Sequence, residues 1–197
     1  MRTASAALAL AAAIAFCAAG QTLPLGKPIP GMTPAAPREL TLHNADFEAP
    51  MREGASCPSG WSCIMHAASD SFRFFYDEAH PAAGKRSGCL ESVGREPWGK
   101  LVQAHRVGDS VRGKRVRFSA LVKLEDVTGN GAGLIMRADG GSGNELAYRF
   151  EPKAGSAGWH PVSAELDIPA GTYVLELGLA LKGKGRACVD EVRFEVR

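Results

Sequence analysis

Several chemistries are missing from this chain of 197 residues. It has no CxxC pair and no HxH or HExxH spacing among its five histidines, so the usual zinc-site patterns are excluded. No GxSxG elbow occurs, which removes serine hydrolases of that type. Neither charge sign is in excess. Twenty-three Lys and Arg stand against 21 Asp and Glu, spread along the chain rather than clustered, and no strong field would draw nucleic acid or an anionic membrane surface. Aromatic residues make up only 7%, which works against an extensive stacking surface. The longest apolar stretch, Ala6 to Ala19, is too short for a transmembrane helix. The loop Gly108-Asp109-Ser110-Val111-Arg112-Gly113-Lys114 imitates a phosphate loop. It continues with Arg115 where Ser or Thr would meet magnesium, and it leads into a strand-like segment, not a helix.

What is present has a clear order. Arg2, the Ala/Leu/Ile run and the small residues Ala18-Ala19-Gly20 read as a secretory leader over residues 1–20, with Gln21 the expected mature start. Cys17 raises a lipoprotein alternative, disfavoured because the bulky Phe16 precedes it. Removal of the leader takes away only Arg2, leaving 22 basic against 21 acidic residues. Residues 21–39 hold five of the twelve prolines and read as an extended tether before a domain at 40–197. Export, to the periplasm or the medium, makes the four remaining cysteines, Cys57, Cys63, Cys89 and Cys188, a disulfide framework with three possible pairings. One pairing joins Cys57 to Cys63 across Pro58-Ser59-Gly60. It leaves Cys89 with Cys188, closing a loop of about a hundred residues whose constraint contributes roughly 4–5 kcal/mol.

Beyond Leu40 the apolar pattern has period two. Val116, Phe118, Ala120, Val122 and Leu124 alternate with mostly polar neighbours, and Tyr173, Leu175, Leu177, Leu179 and Leu181 form a second apolar face. Further runs at 71–76, 86–93, 99–107, 132–138, 145–151 and 159–168 are separated by Gly, Pro, Asn and Asp clusters, with no helical periodicity between them. This predicts an all-β domain of about ten strands, a two-sheet jelly-roll β-sandwich rather than an immunoglobulin fold, whose Cys…Trp…Cys spacing is absent. Asp190-Glu191, beside the alternating Val192, Phe194 and Val196, requires a cation or donors to meet it. Asn44-Ala45-Asp46-Phe47-Glu48 echoes it at the other end, and the first and last strands are expected to be neighbours.

These pieces resemble the carbohydrate-binding modules and galactose-binding-like domains of the jelly-roll superfamily. Asn44 to Glu48 looks like an opening NxxFE strand, Gly60-Trp61 like GW, and Ala79 to Ser87 like an AHSGKxS turn. Gly113 to Lys123 is similar to GKxYxxSxxVK with Val116 for the Tyr, Gly158-Trp159 to a mid-domain xxW, Ile168 to Gly171 to VPAG, and Val189 to Val192 to xDDV. The resemblance implies a structural calcium ion held by Glu48, Asp190 and carbonyls near Lys85 and Ser87, a hard-oxygen set of the kind calcium takes. It departs from the pattern at Glu191 and at Pro81-Ala82-Ala83.

For a ligand surface, Trp98 in the loop Arg95-Glu96-Pro97-Trp98-Gly99 is the best exposed platform, while Trp61 and Trp159 read as structural. Gln103 and Arg137 are polar residues in mid-strand and are assigned to an exposed concave face. Tyr148 shares parity with Leu146 and Phe150, which favours the core, yet it completes the candidate set. The expectation is a non-catalytic module binding a glycan on that face. The competing readings are an envelope domain that contacts another protein and, further off, a catalytic sandwich with two facing carboxylates.

Overall fold

The alternation Leu175, Leu177, Leu179, Leu181 produces a strand with one wholly buried face, and the same logic repeats along the chain. In the computed structural model residues 40–197 are described; the leader, Cys17 and the Pro-rich segment assigned from sequence lie outside the described residues. Eight strands form among the described residues: β1 (Ser62–Met65), β2 (Phe72–Asp77), β3 (Ser87–Ser92), β4 (Gly99–Arg106), β5 (Arg115–Gly140), β6 (Glu145–Asp167), β7 (Thr172–Lys182) and β8 (Arg186–Val196). There is no helix among these residues, and none is long and apolar enough to cross a membrane.

All pairings are antiparallel. The first half of β5 pairs with β8 and with the second half of β6, and β8 continues to β3 and β2. The second half of β5 pairs with β7 and with the first half of β6, and β7 continues to β4 and β1. Two layers of five strand segments result, with β5 and β6 shared between them. Four of the runs expected as separate strands are thus halves of two long ones. The crossover is made by register shifts between Leu124 and Ala132, with Asp126, Gly129 and Gly131 at positive φ. Bulges of this kind bend and twist a strand enough to pass from one layer to the other.

Inward side chains of both layers meet in one core. Val116, Phe118, Val122, Leu124, Leu90, Phe74 and Val189 come from one sheet, and Leu101, Leu134, Met136, Leu175, Leu177, Leu179 and Leu181 from the other. Each fully buried Leu or Phe contributes roughly 1.5–3 kcal/mol relative to exposure, so the double alternation is the main source of fold stability.

Residues 44–48, expected as an opening strand, form a turn with Asn44 and Phe47 at positive φ. Accordingly β8 is flanked by β3 and β5, not by the first strand, which pairs with β4. The turn nevertheless touches the end of the chain, since Val192 N–H donates to Ala45 O at 2.9 Å. Asn44 ties it down through Ser59 O, Tyr76 OH and the N–H of Ala49. Phe47 is fully buried and stacks on Trp61 at 4.8 Å. It occupies space that only a glycine at position 88 leaves open, because a Cβ there would lie 2.2 Å from its ring. A local turn with tertiary anchors replaces ladder pairing.

The disulfides are Cys57–Cys63 and Cys89–Cys188. The second joins directly opposed residues of β3 and β8 and is buried.

Candidate functional site

The outward face of the β4-β7-β5-β6 layer carries the groove that gathers most of the candidate residues. Antiparallel register sets its rows. Val102, Gly178, Ile135 and Phe150 lie across the sheet in one row, and Ala104, Glu176, Arg137 and Tyr148 in the next. Val102, Ile135 and Ala180 form a small apolar floor separate from the main core, with Phe150 packed against it. Above it lies a groove of about 330 Å³ lined by Trp98, Lys100, Ile135, Arg137, Glu145, Tyr148 and Lys182.

Each wall residue is held in place. The Trp98 carbonyl accepts from His66 N–H at 3.3 Å, and the indole meets the His66 ring edge-on at 5.9 Å. His66 Nδ1 lies 2.7 Å from Glu96, whose other oxygen accepts from Ala68 N–H. That backbone bond, followed by the His66 contact, keeps the Glu96 carboxyl below its ordinary range. Lys100 Nζ sits 5.3 Å from the indole centroid and 2.6 Å from Glu176, with both charged side chains 14% exposed. Arg137 donates from Nε to Asp139 at 2.8 Å, with Glu145 at 3.5 Å. The Asp139 bond dominates in holding this guanidinium above the ordinary arginine value, so it is a permanent cation. Lys182 donates to the Tyr148 hydroxyl at 2.8 Å and lies over the Phe150 and Tyr148 rings at 4.6 and 5.2 Å.

Trp98, Arg137 and Tyr148 are therefore brought together. Tyr148 is 38% exposed, and the parity that suggested a core position belongs to the outward face of an edge segment, where Leu146 is also 38% exposed. Gln103 is not in the groove. It lies on the inward row opposite Leu177, is 4% exposed, accepts from His43 N–H at 3.0 Å and donates to His43 O at 2.6 Å. A mid-strand polar residue here faces a backbone partner, the other way a polar side chain can be accommodated. Lys100, Glu145 and Lys182 were not recognised from sequence. Their only signal is parity with Ile135 and Arg137, which requires the register across three strands.

Elsewhere on the sandwich Glu48 and Asp190 converge on the Ala79–Ser87 turn. Glu48 Oε1 accepts from the N–H groups of Lys85 at 2.7 Å and Arg86 at 3.0 Å. Asp190, fully buried, accepts from Ala82 and Ala83 at 3.1 Å each and from Glu191 at 2.8 Å. Burial pushes the Asp190 carboxyl above its ordinary range, against the pull of those donors. Glu191 stands at positive φ beside the register shift opposite Ala120. Ser87 heads β3, and the Lys85 group brought to Glu48 is its N–H. Two carboxylates on one turn, each with lone pairs beyond those hydrogen bonds, have the donor chemistry of a hard cation site.

A larger groove of about 590 Å³ crosses the outward face of the other sheet, with Arg117, Ser119, Ser163, Glu191 and Arg193 on its walls and no aromatic ring from the described residues.

No protein-family model matches the chain. It is 30% identical over 130 residues to a protein of Bacillus subtilis (strain 168) described as the uncharacterized HTH-type transcriptional regulator YbfP, over 63% of this chain and 43% of that protein. The chain thus spans less than half the length of that curated relative. Among solved structures it is similar to the CBM22-1 xylan-binding domain of Paenibacillus barcinonensis Xyn10C (TM-score 0.53, 18% identity, 77% of this chain and 91% of that one). It is also similar to TmCBM61 bound to β-1,4-galactotriose (TM-score 0.51, 13% identity, 79% and 97%). A third likeness is to the enzymatically active domain of tailspike protein 4 of bacteriophage CBA120 (TM-score 0.53, 13% identity), covering 71% of this chain but 20% of that one.

Proposed function

On a fold that is the β-sandwich of carbohydrate-binding modules, we propose that this chain is a non-catalytic module that takes a saccharide in the groove between Trp98 and Tyr148. One observation carries the reading: two aromatic rings held by neighbouring cations flank an apolar floor on an outward sheet face, with Arg137, Lys100, Glu145 and Lys182 around them. Aromatic faces pack on the C–H surfaces of a sugar ring while fixed polar groups orient its hydroxyls. The larger groove on the other sheet lacks that first element. The acids here are engaged, Glu176 by Lys100 and Asp139 and Glu145 by Arg137. That favours binding over catalysis, which would need a free carboxylate pair.

The two disulfides support an exported protein, in keeping with the leader-like start of the chain. At the Glu48–Asp190 end we include a structural calcium ion in the proposal. Their side chains and carbonyls near Lys85 and Ser87 would hold it, and its charge would offset the desolvation of Asp190.

Affinity electrophoresis against a panel of soluble plant and microbial polysaccharides tests the reading. Retardation by at least one, lost on replacement of Trp98, supports it. A folded protein that none of them retards overturns it in favour of a domain that contacts other proteins.

A further inference from the structure

Resting on the groove as the saccharide site, we infer that its preferred ligand is acidic: a uronate-bearing saccharide whose carboxylate lies between Lys182 and Arg137. The choice of ligand follows from which donors are free. Lys100 is closed off by Glu176, both little exposed and 2.6 Å apart. Among the described residues Arg137 spends only Nε: its one hydrogen bond there runs to Asp139, and its approach to Glu145 is through the same atom. The two terminal nitrogens of its planar fork have no hydrogen-bond acceptor among the described residues, and that fork matches a carboxylate with two parallel bonds.

Lys182 has no carboxylate partner among the described residues. Its ammonium is positioned instead by the Tyr148 hydroxyl and by the ring faces of Phe150 and Tyr148. One of its three N–H donors is used, leaving two. Arg137 and Tyr148 are register partners, and Lys182 is bonded to Tyr148, so the ammonium and the fork belong to the same part of the groove. Three cations and one carboxylate line it. Counting Asp139 and Glu176 behind them balances the formal charge, so net charge does not decide the matter. Donor availability does. Glu145 is 49% exposed and already faces Arg137 Nε, which leaves its repulsion of an incoming anion largely offset and screened. A neutral sugar could use the fork through its hydroxyls, but the Lys182 charge would stay unanswered.

Titration calorimetry of the full chain tests this with pairs of oligosaccharides, each uronate-bearing member matched with its carboxyl-reduced, neutral counterpart. The acidic member of a recognised pair is expected to bind at least about tenfold more tightly, equivalent to roughly 1.4 kcal/mol, with the advantage shrinking as salt rises. Lys182→Met keeps an apolar stem against Phe150 but removes the charge, and is expected to bring the ratio within a pair towards one while the protein stays folded by circular dichroism. Equal or tighter binding of the neutral members overturns the acidic preference and leaves the saccharide site standing. An unchanged ratio in Lys182→Met overturns the role given to this residue. Failure of every pair, neutral and acidic alike, overturns the preference together with the site on which it rests.

Discussion

Gln103 holds His43 by both of its backbone polar groups, accepting from its N–H and donating to its C=O, so that one amide side chain of β4 fastens the segment entering the domain. Replacing Gln103 with Ala should lower stability by about 1–3 kcal/mol, the cost of losing hydrogen bonds to a partly buried backbone. Because the side chain faces away from the groove, saccharide affinity should not move. Chemical denaturation together with affinity electrophoresis measures both.

The groove responds to different residues. Trp98→Ala should weaken saccharide binding by about 2 kcal/mol or more, as for a central aromatic anchor. Thermal stability should change little, because the ring lies at a loop end outside the main core. A loss of binding that merely tracks a loss of folding would speak against a contact role.

His105 follows Gln103 on the same inward face of β4 and stacks with His43 at 6.1 Å. Burial, and secondarily the neighbouring His43, depress its pKa below the ordinary 6.5, and its buried Nε2 has no hydrogen-bond partner among the described residues. For a base with a depressed folded pKa, the unfolded chain takes up the proton first. The contribution to stability is therefore complete above about pH 6.5 and is lost as pH falls from there through the folded value. Melting temperature should decline across that window, and His105→Gln should flatten the decline.

The two disulfides should differ in weight. Cys89–Cys188 closes a separation of 99 residues and Cys57–Cys63 one of six. Loop-closure entropy then assigns about 4.7 kcal/mol to the first and roughly half as much to the second. Denaturation of the two paired Cys→Ala variants should show that ranking.

If calcium occupies the Glu48–Asp190 end, adding it at a hundredfold its dissociation constant should stabilise the fold by about 2.7 kcal/mol. A chelator should reverse the effect, and Asp190→Ala should abolish the response. Melting curves with and without the ion would reveal a protein indifferent to calcium.

Local alternation was enough to announce an all-β domain and to place most strands, and the mid-strand Arg137 and the loop residue Trp98 turn out to line one groove. It failed where a residue's direction depends on something distant. Whether Gln103 turned outward to water or inward to a peptide depended on where the segment around His43 would lie, 60 residues earlier. Tyr148 looked internal because its strand is half edge, where apolar parity no longer marks the core.

The period-two pattern and the glycine-rich breaks by themselves determined the class of fold, because side-chain alternation is a local property of an extended chain. Tertiary structure alone decided that β5 and β6 each serve two layers, that Glu48 and Asp190 meet on one turn, and that Lys100, Arg137, Tyr148 and Lys182 share one groove. Those relations depend on cross-strand register, which arises only when segments far apart in the chain pack against a common core.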